Sequence, residues 1–277
     1  QHMAWQNIAL FPEWNCDVPI YLANHHRGFM HEWLRYQAFY LMEYWRMKHG
    51  EDMLGRVWRE SESHEDPITA YKRIAGLSQD QFNAEVWESA CHDITWDYPL
   101  GGYLRRIVDR QSEADRQTWY THKTRLIAEN GYYRSYPDTV TADHGTEQNI
   151  AFTPHDYGYN AFQLSVPEGG TTVTAEFEGI TGDSRYRTVG DSKAGWRFGF
   201  VGVQGSWTPV YGDMGEATGT APQASVSFTV PGGGLKQLWF VVSGAPTRHE
   251  PHVWDDDVGN DEEYPYRVKF VNTEVKN

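Results

Sequence analysis

Histidines and a glutamate crowd into residues 25–32, in Asn24-His25-His26-Arg27-Gly28-Phe29-Met30-His31-Glu32. Imidazole and carboxylate so close together raise the chemistry of a bound metal. A zincin needs HExxH, because residues i and i+4 place two imidazoles on one helix face with the glutamate beside the metal-bound water. Here His31-Glu32-Trp33-Leu34-Arg35 puts arginine in the second ligand position, and a guanidinium cannot coordinate zinc. His26 and His31 are also spaced wrongly for one face. The segment is therefore expected to be a hydrogen-bonded, partly exposed histidine cluster at a helix start. It could still wall a substrate cleft, with His25 and His26 as ligand contacts and His31 and Glu32 as catalytic candidates.

Carboxylates offer two further chemistries. Glycoside hydrolysis needs two of them about 5 or about 6.5–9.5 Å apart across a sugar. Glu13, Glu32 and Glu43 lie in the aromatic-rich part, and Glu13-Trp14 and Glu32-Trp33 set an acid beside an indole. Solvated acids are the alternative reading of the same residues. The run Trp254-Asp255-Asp256-Asp257-Val258-Gly259-Asn260-Asp261-Glu262-Glu263 could hold calcium through Asp255, Asp257 and Asp261, because crowded carboxylates repel unless a hard cation offsets them. It lacks EF-hand spacing, and the alternative is a solvated loop pinned by Arg248 or Arg267. There is no GxSxG elbow, phosphate loop or dinucleotide fingerprint. Pro231-Gly232-Gly233-Gly234 reads as a turn between strands.

The elements that must carry these residues are written in two periods. Residues 28–49 follow i, i+3/i+4 spacing through Phe29, Trp33, Tyr36, Tyr40, Tyr44 and Met47, predicting a central helix. A helix is expected over 52–59 with Met53, Leu54, Val57 and Trp58 inward. Asp66-Pro67 caps the next, which stops at Gly76, and Ser78-Gln79-Asp80-Gln81 is a capping box for another. Residues 103–130 look helical, and residues 4–27, with two prolines, look irregular. After the polar stretch 131–148, strands are expected at about 150–152, 160–166, 171–178, 196–203, 208–211, 224–230, 237–243 and 265–271. The fold class is α+β in two domains: an α-helical domain over 4–140 followed by an antiparallel β-sandwich, jelly-roll-like, over 146–277.

Composition narrows the partners. The net charge of -14 argues against nucleic acid, where affinity rests on neutralising phosphates. No apolar run reaches the ~20 residues that span a bilayer, so membrane insertion is not expected. Aromatic residues make up 15 %, with 12 Trp and 17 Tyr, an excess that suits stacking on sugar rings. Trp14, Trp33, Trp196, Trp207 and Trp254 are the platforms this suggests. Cys16 and Cys91 could form one bridge or be two buried thiols.

The blocks GWRFGFVGV, VYGDM, LWFVVSGAPTRHEPHVWDDD and NDEEYPYRVKF, with HGEDMLGRVWRES and EDPITAYKRIAGLSQDQFN before them, resemble the C-terminal part of a secreted bacterial family catalogued as a domain of unknown function. The resemblance covers most of residues 29–270. It implies that larger members carry a zincin-like HExxH upstream, so that this chain would be the downstream portion of a metallopeptidase-like protein. It carries over no catalytic residue. Three functions follow as expectations. The first is a secreted, cell-surface or periplasmic hydrolase-like protein. The second is a glycan-active or glycan-binding protein meeting extracellular polysaccharide or glycoprotein through an aromatic-lined groove. The third is a non-catalytic surface module.

Overall fold

The computed structural model describes residues 17–34, 40–99, 101–138, 151–251 and 258–276. Helices come first: α1 Asp17–Asn24, α2 Tyr40–His49, α3 Met53–Glu60, α4 Pro67–Ala75, α5 Gln79–Asp93, α6 Gly101–Asp109 and α7 Glu113–Trp119. Ten strands follow: β1 Leu126–Glu129, β2 Tyr132–Ser135, β3 Tyr159–Leu164, β4 Thr172–Gly179, β5 Gly195–Gln204, β6 Thr208–Tyr211, β7 Gly215–Thr218, β8 Gln223–Thr229, β9 Gln237–Gly244 and β10 Tyr266–Val271. They build two antiparallel sheets, ordered β1-β2-β10-β4-β8 and β3-β9-β5-β6, with β7 also paired to β5. The α+β class and the sandwich are as expected. No helix among the described residues is long and apolar enough to cross a membrane.

Local capping chemistry explains the best-defined helices. The Asp66 carboxylate accepts from the Ile68 and Thr69 amides with Pro67 at the first position, and Ser78 and Gln81 complete a capping box. Packing explains the sheets. In β4, Val173, Ala175 and Phe177 alternate inward with exposed or half-buried neighbours. Phe177 stacks on Phe198 with centroids 4.0 Å apart, joining the two sheets. The second sheet is buried on both faces, which is why β9 and, apart from Arg197, β5 read as nearly continuous apolar runs. Phe198, Phe200, Phe240 and Val242 face the sandwich core, while Val201, Val203, Trp239 and Val241 join a cluster that includes α2, α4 and α5. Trp87 of α5 donates its indole N–H to the Val241 carbonyl at 3.2 Å.

Several expectations need correction. Residues 17–24 form α1 despite Pro19, because proline in a first turn forfeits no intrahelical bond. The helix expected over 28–49 is interrupted: a turn precedes a 3-10 helix at Glu32–Leu34, and α2 starts at Tyr40. The helical reading of 103–130 fails beyond Trp119. Asn130 and Gly131, at φ +52° and +80°, form the two-residue turn of the β1–β2 hairpin, for which Asn-Gly is the strong local signal. Residue 151 makes only an isolated bridge to Thr124, and β7 was not anticipated. Trp58, expected inward, is 87 % exposed. Trp196 is no platform: it is fully buried and donates to the Tyr264 carbonyl. Among the described residues Arg267 pairs with Glu178 and Arg248 with Glu250, and residues 254–257 of the acidic run lie outside them.

Candidate metal centre

Where the chain leaves α1 it lies across the segment that leads into β3. The His155 amide bonds the His26 carbonyl and the Tyr159 amide bonds the His25 carbonyl, both at 2.8 Å. The crossing is too close for side chains. A Cβ on Gly28 would stand 2.1 Å from the Asp156 carbonyl oxygen, and one on Gly158 would stand 1.9 Å from that of His26. The two neighbouring histidines sit in the turn that ends α1, where the Arg27 amide bonds the Asn24 carbonyl at 2.9 Å, and their rings reach different surroundings. His25 turns into the aromatic core, against Tyr159 and His122. His26 turns toward the carboxylates.

On that second side, residues far apart in sequence converge. His155 Nε2 lies 3.2 Å and His26 Nε2 3.7 Å from Asp138 Oδ2. His31 Nε2 lies 3.0 Å and His155 Nδ1 3.8 Å from Asp261 Oδ2. The described residues thus form two groups with the donor spacing of a metal site, His26–Asp138–His155 and His31–His155–Asp261, and all five side chains are buried. Glu263 braces the frame by accepting the Asp138 amide at 2.7 Å and the Arg187 amide at 2.8 Å. Arg187 donates to the carbonyls of Asp261 and Asp138. Glu32 places Oε1 3.9 Å from His31 Nδ1.

Burial sets the protonation of this group. It drives the His26 imidazole down to about 3, against the pull of Asp138, so His26 is neutral at physiological pH. Burial also lowers His31 and brings the Arg27 guanidinium down to about 10. Burial alone would raise Asp138, but the hydrogen bond with His155 and the nearby His26 imidazole outweigh it and hold the carboxyl below its ordinary range. Burial raises Glu263. With neutral imidazoles, four carboxylates (Glu32, Asp138, Asp261, Glu263) face two guanidinium groups (Arg27, Arg187), a formal excess of two negative charges.

The first group fits a divalent ion. The 3.7 Å between His26 Nε2 and Asp138 Oδ2 is too long for a hydrogen bond. Donor atoms about 2.0–2.1 Å from a tetrahedral zinc stand roughly 3.3 Å from one another, which the 3.2 and 3.7 Å separations bracket. His155 presents Nε2 to this group and turns Nδ1 toward Asp261 at 3.8 Å, beyond hydrogen-bond distance.

The other site residues expected from sequence scatter. Glu13, Trp14, Cys16, Trp254, Asp255, Asp257 and the side chain of Trp33 lie outside the described residues. Asp261 belongs to the histidine cluster. Glu43 is tied to Arg46 in an ion pair. Cys91 is a buried free thiol in α5. Trp207 is half-buried and donates its indole N–H to Asp109. Asp138, His155, Arg187 and Glu263 were missed, and no spacing in the sequence marks them. A concavity of about 760 Å³ between α2, α3 and the start of α4 is walled by Phe29, Trp45, Leu54 and Trp58. Its charged groups are rim acids and Arg46, so the chemistry points to the buried cluster instead.

A second buried carboxyl, Asp93, has a different character. Tyr21 and Tyr159 donate to Oδ2 at 2.6 and 3.0 Å, and Tyr98 donates to Oδ1 at 2.5 Å. Burial pushes its pKa up to about 7, and the tyrosine hydrogen bonds only partly oppose the rise. The folded protein therefore keeps a proton that an unfolded aspartate loses near pH 4. The stability this group contributes is present in acid and lost as pH rises toward 7, at about 1.4 kcal/mol per pH unit. Unfolding free energies of the native chain and Asp93→Asn, compared between about pH 5 and 7, should show that slope in the difference. A flat difference would contradict it.

No curated protein and no solved structure matches this chain. The family model of the family of unknown function DUF6055 matches residues 1–277, and the chain belongs to that family.

Proposed function

We propose that this protein is a metal-dependent hydrolase whose cation is held by His26 Nε2, His155 Nε2 and the Asp138 carboxylate. The observation that carries the proposal is the convergence of two neutral-capable imidazoles and one ionised carboxylate, buried together, at separations suited to one divalent ion. Three protein donors are the number that catalytic zinc sites use, the fourth position being left to water or substrate. The ion would supply Lewis acidity and lower the pKa of a bound water. Around it, Asp261 holds His31 and faces His155, Arg27 and Arg187 offset the surplus carboxylates, and Glu32 stands beside His31 as a further carboxylate. The secreted setting and an extracellular polymer as substrate belong to this proposal and rest on the family resemblance. The resemblance pointed to a metal motif upstream of this chain, whereas the centre proposed here lies within it.

One observation favours a second reading. The donors are almost wholly enclosed, with His26, His155 and Asp138 side chains 1–3 % exposed, as in structural sites that tie segments together. Chelator treatment separates the two readings. The first expects hydrolysis of a protein or polysaccharide substrate by the zinc-loaded chain, abolished by chelator and by His155→Ala while the far-ultraviolet circular dichroism is kept. Loss of fold on chelation, with no hydrolysis beforehand, would leave the structural reading. A fold and an activity both indifferent to chelator would remove both.

A further inference from the structure

A groove of about 230 Å³ lies apart from the histidine cluster, where the end of α5 and helices α6 and α7 meet β3, β5 and β9. Three indoles line it, from Trp96, Trp207 and Trp239, together with Tyr120. Each indole is held in place. Trp207 donates to both Asp109 carboxylate oxygens at 3.2 Å, and Trp239 donates to Gln237 Oε1 at 2.9 Å. Trp96 lies near-parallel to the His122 ring with centroids 6.4 Å apart, and that ring meets Trp239 edge-on. Its backbone sits at φ +51°, a left-handed conformation that a bulky residue adopts only under constraint from its surroundings. Trp96 and Trp239 are buried in the floor, whereas Trp207 and Tyr120 are half-buried.

We infer that this groove binds one pyranose unit of a neutral polysaccharide. The half-buried Trp207 and Tyr120 offer rigid aromatic faces to the C–H face of a sugar ring, and Gln163, Gln117 and Gln237 on the lining carry amides for its hydroxyls. The volume is below the ~300–1,000 Å³ of sites for drug-sized ligands, which favours a single ring. The net charge of -14 and the three lining carboxyl groups, Asp93, Asp109 and Glu113, oppose a polyanion. A quaternary ammonium ion would also suit indoles. It is disfavoured because Asp109 is engaged by Trp207, while Arg116, paired with Glu113, lines the same groove.

The inference stands independently of the metal centre, and its test uses the full chain. Tryptophan fluorescence is titrated with cello-, manno- and chito-oligosaccharides, with tetramethylammonium as the competing probe. Saturable binding of at least one oligosaccharide is expected. Trp207→Ala should weaken it about tenfold or more. Asp109→Asn, which loosens Trp207 without removing it, should weaken it less, and Trp58→Ala, on a different helix, should leave it unchanged. No binding by any of the three oligosaccharides at low-millimolar concentration would overturn the inference. So would equal binding by a folded Trp207→Ala variant, or binding of tetramethylammonium alone.

Discussion

Replacing Asp138 with alanine is expected to destabilise the fold by about 3–5 kcal/mol, the range for breaking a buried charge pair from one side. The carboxylate stands between His155, His26 and Arg187, with Arg187 Nη2 3.8 Å away, and its side chain is 3 % exposed. Its removal would leave a half-buried guanidinium facing imidazoles across a cavity. Domains are typically stable by only about 5–15 kcal/mol, so a loss of this size is a large share of the whole. Denaturant titration measures it, and Asp138→Asn separates the causes. If charge dominates, the asparagine variant keeps the volume and still loses most of the stability. If packing dominates, it recovers most of it. A change within about 0.5 kcal/mol for alanine, the range of ordinary surface substitutions, would contradict the arrangement described.

Trp87→Ala is expected to cost a similar amount, about 3–5 kcal/mol for truncating a large buried aromatic side chain. Trp87 is 4 % exposed and joins α5 to the second sheet. One hydrophobic cluster runs from the helices into β3, β5 and β9. The native chain should therefore lose helix and sheet signals in one transition. In Trp87→Ala the midpoint should fall sharply, with helix followed by far-ultraviolet circular dichroism and sheet by the infrared amide I band. An unchanged midpoint would mean that α5 does not anchor the helical layer on β9.

What was legible in the sequence was local. The Asp66-Pro67 cap and the Ser78–Gln81 capping box depend on residues two or three apart, and both are present. The alternation in β4 and the apolar runs of β5 and β9 needed only the pleat and two-sided burial. The departures arose where a nearby pattern had two readings. Leu126 and Ile127 continue a helical spacing, yet the Asn-Gly turn after them makes a hairpin. Trp58 sits on an amphipathic helix, but which face is covered depends on the neighbours that arrive, and its side chain was left in solvent.

The candidate centre was hardly legible at all. Its histidines were noticed, but their partners come from elsewhere: His31 meets Asp261 across 230 positions, and Glu263 holds the Asp138 amide across 125. No helical or strand period relates residues so separated. The broken HExxH spoke only to two ligands on one helix face. It could not show that a chain crossing at Gly28 and Gly158 would deliver His26 to a carboxylate carried on another segment.

The most direct test of the metal centre is elemental analysis of the full chain after zinc loading and extensive dialysis, beside His155→Ala treated identically. The proposal predicts one equivalent of zinc retained by the native chain and none by the variant. Absence of any retained transition metal in the native chain, or equal retention by both, would contradict it and leave the cluster as a hydrogen-bonded core.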